Sequence, residues 1–221
     1  MSFESNPKQH AQFVLRLKQG VQALGFSLES AQITRLLEYL YIFEKWNKTY
    51  NLSSIRVLDE MLNKHLLDSL SIVPFLSDKQ TGSRFIDVGT GGGLPGVVLA
   101  ICFPERHFTL LDSVGKKTRF LFQVKQSLSL DNVAIENIRV EHFQPAELYD
   151  GVITRAYSTL AHMTGGCSHL LREGGKFWAM KGVIPKDELR EIEKHYIVES
   201  CHEIAVPGDD SERCLIVFNQ N

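Results

Sequence analysis

The sequence predicts an α/β protein: a Rossmann-like, mostly parallel sheet with a C-terminal antiparallel strand, behind an N-terminal helical extension. Three observations carry this. From Arg84 onward, short apolar runs alternate with amphipathic segments. The first run breaks into a glycine-rich turn, VGTGGGLPG, and a helix-like segment follows at once. Residues Gln9–Leu76, by contrast, show helical periodicity.

The elements follow in order. Phe13, Leu17, Val21 and Leu24 repeat at helical spacing, and Gly25 ends that helix. Ser30 is placed to cap the next, whose stripe of Ile33, Leu36, Leu37, Leu40 and Phe43 runs to Trp46. Asn47–Ser54 breaks the pattern. A third helix carries Met61, Leu62, Leu66, Leu70 and Ile72 and stops before Pro74. The polar stretch Ser77–Ser83 is a linker, which gives an extension over residues 1–80 and a second domain over 81–221. In that domain, strands are predicted at Arg84–Val88, His107–Leu111, Val133–Ile138, Gly151–Thr154 and Lys176–Met180. Helices fit at Val97–Phe103, Lys116–Leu128, Tyr157–Leu171 and Lys186–His195. The chain closes with two strands, Ile197–Val206 and Arg213–Phe218, turning at Asp209–Asp210.

The bulk numbers exclude several classes. The chain has 221 residues, 43% of them hydrophobic and 23% charged, which suits one α/β domain with an appended element and argues against disorder or a fibre. A net charge of −2 excludes a globally basic nucleic-acid coat, though not a local basic patch. MSFESNPKQH has no apolar core of a signal peptide, and no run approaches the roughly 18 apolar residues of a membrane span. A cytoplasmic monomer away from membranes is the expectation. Cys102, Cys167, Cys201 and Cys214 form no CxxC pair, no HExxH is present, and His162 and His169 have no correctly spaced carboxylate beside them, so no metal is expected.

Chemistry-bearing residues collect after the strands. The turn holds Gly89, Gly91, Gly92, Gly93 and Gly96, with Leu94 and Pro95 leading into the helix. Such a turn lets a ligand touch backbone beside free helix N–H groups, or is simply a tight turn. Asp112, one residue past the second strand, is placed to accept both hydroxyls of a ribose; with Ser113 beside it, it could equally cap a helix. Val140–Glu141 falls where an adenine edge would arrive, or is a solvated loop pair. Asp150 and Arg155 bracket the fourth strand, facing the reacting end of a cofactor; Arg155 suits a carboxylate, a phosphate or RNA, or is a surface arginine. Lys116, Lys117, Arg119 and Lys125 line one helix, and Lys181 and Lys186 follow the fifth strand. These form either a basic rim for RNA or a solvated face.

Taken together, IDVGTGGGLPG, LLDS followed by KKTRFL, RVE, ITRAY, AMKG and the upstream KWNKTYNLSSIR…HLLDSL resemble one family in the same order. It is the glucose-inhibited division protein B family, the bacterial small-subunit ribosomal RNA methyltransferases G. The resemblance runs from about Leu36 to the C-terminus. It implies a class I S-adenosylmethionine-dependent methyltransferase acting on N7 of one guanine in the decoding-region loop of 16S rRNA. It implies cofactor contacts at Gly89, Leu94, Val140–Glu141 and Arg155, with Asp112 on the ribose. The partner it implies is 16S rRNA, the small subunit or an assembly intermediate. It assigns no catalytic residue. Gly92 stands where some relatives carry proline or alanine, which is expected to loosen the turn without removing binding.

The omissions agree. After the fourth strand there is no Asn/Asp-Pro-Pro-aromatic motif for amino methylation and no Pro-Cys pair for pyrimidine C5 attack. Thr154-Arg155-Ala156-Tyr157 stands there instead, with Tyr157 available to stack on a base or to pack in the core. Lys45, Lys48, Arg56 and Lys64 are candidate RNA contacts from the extension. Two rival readings share parts of the pattern: an NAD-dependent oxidoreductase, and a non-catalytic ribosome-binding module that kept a cofactor pocket.

Overall fold

A computed structural model describes residues 7–155 and 158–221. Its centre is one seven-stranded sheet: β1 (Arg84–Val88), β2 (His107–Leu111), β3 (Val133–Glu136), β4 (Tyr149–Arg155), β5 (Leu171–Lys181), β6 (Tyr196–Glu203) and β7 (Cys214–Gln220). The spatial order is β3-β2-β1-β4-β5-β7-β6. The first five run parallel, and β7 is antiparallel to both its neighbours. β1 and β2 are nearly all buried, as strands covered on both faces must be, which is why their runs are apolar without alternation.

Helices cover both faces. α1 (Pro7–Ala23), α2 (Ser30–Tyr50), α5 (Gly96–Cys102) and α6 (Gly115–Leu128) share one core with Phe85, Phe108, Leu110 and Ile153 of the sheet. α7 (Leu160–Cys167) and α8 (Lys186–Ile192) cover the other face, against Ile86, Val88, Val152 and Phe177. The extension is therefore packed into the core over the glycine turn and α6. Phe43 of α2 meets Phe120 of α6 edge-on, with ring centroids 5.7 Å apart.

Between α2 and the sheet, the helical turns differ from the expected single helix. Residues 58–70, here α3, run as Leu58–Met61, a π-helical stretch Leu62–Leu67 and Asp68–Leu70. Pro74 does not simply end the chain's helical run: it lies in the first turn of a short α4 (Val73–Leu76), where its missing N–H costs nothing. Ser30 is the first residue of α2 rather than its cap; Glu29 is the N-cap, and its N–H donates to Gln32 Oε1 at 2.9 Å. The predicted helix Tyr157–Leu171 is shorter, Leu160–Cys167, capped by Thr159. Tyr157 lies outside the described residues.

Candidate cofactor site

In-register pairing of β1 and β2, from Arg84–His107 to Val88–Leu111, brings the residues after both strands side by side at the sheet's carboxyl edge. The Gly89 N–H donates to Leu111 O at 2.9 Å, and the Asp112 N–H to Glu136 O at 3.1 Å. Those bonds bring the segments that leave both strands to the same carboxyl edge of the sheet, the edge where ligands bind in open α/β sheets. A cavity of about 330 Å³ lies there, at the small end of ligand pockets of roughly 300–1,000 Å³. Val88, Gly89, Asp112, Ser113, Lys117, Ile138, Val140, Glu141 and Arg155 line it, among others.

Six predicted cofactor residues thus meet in one cavity: Gly89, Asp112, Ser113, Val140, Glu141 and Arg155. Gly91, Gly93 and Leu94 are not among its lining residues. Gly91 acts through its backbone: at φ +60° its N–H donates to Asp112 Oδ2 at 3.0 Å. Asp112 does not cap α6, whose N-cap is Val114; its Oδ1 accepts from the Val114 N–H at 2.9 Å and closes the turn that leads into the helix. It is buried, and Lys117 Nζ stands 3.2 Å from Oδ2. Lys117 is therefore a partner of the site's acid. Of the other lysines, Lys125 donates to Val133 O at 2.6 Å and Lys181 pairs with Glu188 at 3.0 Å, while Lys116, Arg119 and Lys186 remain exposed.

Asp150 does not face this site. It sits at the amino end of β4, where Oδ2 accepts from the Ser83 and Arg84 N–H groups at 2.6 and 2.8 Å and Oδ1 pairs with Arg172. It ties the linker to the sheet at the edge opposite Arg155.

Several residues that shape the site carry no local signal in the sequence. Asp87 is fully buried under the glycine turn, accepting from Thr90 Oγ1 at 2.7 Å and the Gly96 N–H at 2.8 Å. Tyr39, in α2, donates its hydroxyl to Gly92 O at 2.6 Å. Asp68, in α3, is 1% exposed and lies between two cations: Arg155 Nε is 2.8 Å from Oδ2 and Arg213 Nε 2.7 Å from Oδ1. Arg155 Nη2 also donates to Lys64 O at 2.7 Å. The extension thus fixes both the turn and the arginine on the cavity wall. Asp68 was visible as an acid inside the apolar run HLLDSLSIV, a charge that a buried stripe must pair.

Two buried titratable groups here have opposed shifts. Burial pushes Asp87 up to about 6 from 3.8, against the hydrogen bonds from Thr90 and Gly96. Burial, aided by Arg155, pushes His65 down to about 4 from 6.5. Folded Asp87 holds its proton more tightly than the unfolded chain does, so its contribution is full below pH 3.8 and is lost as pH rises to about 6. His65 is kept neutral by folding, so its contribution is present above pH 6.5 and is lost as pH falls towards 4. Each is worth roughly 3 kcal/mol over the window and they oppose each other. The His65→Gln protein is expected to lose stability as pH rises from 4 to 6, and the Asp87→Asn protein to gain it. Urea midpoints at four pH values check this; parallel profiles for both variants would refute the assignment.

A family model, described as GidB, rRNA small subunit methyltransferase G, matches residues 32–216. The chain belongs to the GidB family. It is 56% identical to the ribosomal RNA small subunit methyltransferase G of Saccharophagus degradans over 213 residues, which is 96% of this chain and 94% of that one. Against the protein of the same name from Cellvibrio japonicus the identity is 51%, covering 92% and 93%. The GidB chain also shares its architecture with a glycopeptide N-methyltransferase, MtfA, solved with S-adenosylmethionine: TM-score 0.58 over 68% of this chain and 86% of that one. At 9% identity that likeness speaks for the fold alone, the class I S-adenosylmethionine-dependent methyltransferase fold behind a helical extension. The cavity lining is chemically suited to such a cofactor: it includes Gly89 at φ +71°, the buried carboxylate of Asp112 and the guanidinium of Arg155. Among the described residues no helix is long and apolar enough to cross a membrane, and no three His, Cys, Asp or Glu side chains are grouped to hold a metal.

Proposed function

We propose that this chain transfers the methyl group of S-adenosylmethionine to N7 of one guanine in the decoding-region loop of 16S rRNA, as a cytoplasmic monomer. One observation supports the reading above others: the cavity at the carboxyl edge of the sheet is lined by an acid, Asp112, and by Arg155. Asp112 takes the ribose hydroxyls. Val140 and Glu141, on the turn after β3, take the adenine edge, with Ser113 beside them. Gly89 brings backbone close to the methionyl part, and Arg155 attracts its carboxylate. Gly91 and Gly93 shape the turn, and Leu94 closes it.

Bound in this cavity, S-adenosylmethionine would supply an electrophilic methyl group to the N7 lone pair, its sulfur keeping the C–S electron pair as the leaving group. No proton has to leave N7, so no general base is required. What the protein must supply is alignment and exclusion of water. Arg155 is well suited to alignment, because Asp68 and Lys64 O hold its guanidinium in one place. Exposed Lys116 and Arg119, next to the site on α6, are proposed phosphate contacts, joined more weakly by Lys117 and Lys181, which already have internal partners. RNA bound this way loses affinity as salt rises.

Family membership removes the oxidoreductase alternative. The ribosome-binding module is separated by experiment. Labelled S-adenosylmethionine, the purified chain and small-subunit particles lacking the modification are expected to give one 7-methylguanosine, located by mass spectrometry. Cofactor binding without methyl incorporation into particles or naked RNA would leave only the module.

A further inference from the structure

α2 climbs from the amino edge of the sheet to its carboxyl edge. Gln32, in its first turn, donates to Ile101 O and Cys102 O at 3.2 and 3.0 Å, where α5 ends. Further along, Tyr39 reaches Gly92 O in the turn after β1. The last turn of α2 therefore stands at the carboxyl edge, where α6 begins. The two helices run antiparallel and meet through Trp46 and Phe120, with ring centroids 5.6 Å apart. One turn past Trp46 on α2 is Tyr50, and one turn before Phe120 on α6 is Lys116. That brings Tyr50 and Lys116 to the same level of the edge, beside Lys117, the partner of Asp112.

The rings form a ladder from core to solvent. Phe120 is buried, Trp46 is half-buried, and Tyr50, 43% exposed, lies against Trp46 with centroids 4.9 Å apart and planes 30° from parallel. The outer rung is held in place. Asn47, buried, donates to Ile55 O and accepts from the Ser53 N–H, both at 2.7 Å, and the Asn51 N–H closes onto Asn47 O at 3.2 Å. Arg56 serves Asn47 O at 2.7 Å and Asn51 Oδ1, so it fastens this end of α2, while Lys48 pairs with Glu44. Lys45, Lys116 and Arg119 are exposed and form no ion pair among the described residues. A fixed, exposed aromatic ring flanked by free cations matches single-stranded RNA: a base stacks on the ring and phosphates meet the cations. We infer that Tyr50, backed by Trp46, stacks an unpaired base of the RNA loop presented for methylation, with Lys45, Lys116 and Arg119 on its phosphates. The inference rests on the methyl-transfer reading and adds a positioning residue from the helical extension. Because the ring is already held, little freedom is lost when the base docks.

Small-subunit particles whose 16S rRNA carries a single abasic nucleotide, moved position by position around the target, test this with the full chain. An abasic site keeps the phosphate and removes the base. For the parent protein, one such position is expected to weaken binding about tenfold. Tyr50→Ala should bind intact particles about tenfold more weakly, and the same abasic site should then cost almost nothing more. Tyr50→Phe keeps the ring and should bind within about twofold of the parent. In turnover, Tyr50→Ala raises KM and leaves kcat nearly unchanged, because the stack is made before and during transfer alike. Salt separates the two kinds of contact: Tyr50→Ala keeps the slope of log affinity against log salt, whereas Lys116→Met reduces it by about 0.7. All three variants alter exposed side chains and should melt and bind cofactor like the parent. Parent-like binding by Tyr50→Ala, or an abasic cost that is the same in parent and variant at every position, overturns the inference. So does a loss seen on particles but not on the same RNA stripped of protein, which would make this face a contact for a ribosomal protein. If the abasic pattern holds but no methyl group is transferred, the methyl-transfer reading fails and the stacking platform stands.

Discussion

Asp112→Ala is expected to weaken cofactor binding by about 2 kcal/mol or more, roughly thirtyfold in Kd, with small-subunit binding nearly intact. Two effects add in that number. The carboxylate no longer accepts from a ribose, and it no longer holds the Gly91 N–H, the Val114 N–H and Lys117 in place. Calorimetry with S-adenosylhomocysteine and its 2′-deoxy analogue separates them. If Asp112 meets the ribose, removing the 2′-hydroxyl costs the parent protein severalfold and costs the variant almost nothing. An equal cost in both would reduce Asp112 to a residue that shapes the turn. The same geometry changes what Lys117 is expected to do. Neutralising it as Lys117→Met should alter cofactor affinity, since it leaves a buried carboxylate with one donor fewer, whereas Lys116→Met should act on RNA binding.

What could be read from the sequence was whatever chain neighbours determine. β1 and β2 match their predicted limits, because each has four consecutive buried positions that are apolar except for Asp87 and Thr109. Asp112, Val140 and Arg155 were legible for a topological reason: each follows or ends a parallel strand, so each had to come to the same edge. β5 was cut short because it opens on Leu171–Gly175, with Arg172, Glu173 and Gly174 exposed and two glycines in succession, which looks like a turn; in the fold Leu171 pairs with Tyr149 before the register shifts. The partners of Asp68, Tyr39 and Phe43 were out of reach for another reason. At the site they lie far along the chain, as Gly92 does from both Tyr39 and Phe43, and no local pattern encodes such a partner. The role of Asp150 failed likewise: its place on β4 was near the prediction, but it sits at the wrong end of the strand.

Gly92→Ala is expected to cost about 1–3 kcal/mol of stability and to weaken cofactor binding with it. The sequence suggested that Gly92 merely loosens the turn. In the fold it is the point where the extension presses on the turn: a Cβ there would lie 2.3 Å from Phe43 Cε2. Phe43 cannot swing aside, being 1% exposed and packed on Tyr39, His65 and Phe120. Either α2 or the turn must move. Moving the turn pulls Gly92 O from the Tyr39 hydroxyl and Gly91 N–H from Asp112, so strain created in the extension reaches the buried acid on the cavity wall. Phe43→Leu in the same chain removes the obstructing ring edge and should restore most of the cofactor affinity, even though that change alone costs stability by opening a cavity. Thermal melts and cofactor titrations of the two single variants and the double variant measure the coupling. Additive losses would mean that the turn does not feel α2 through this contact. Recovery in the double variant would identify Phe43 and Tyr39 as the means by which the helical extension sets the shape of the cofactor turn.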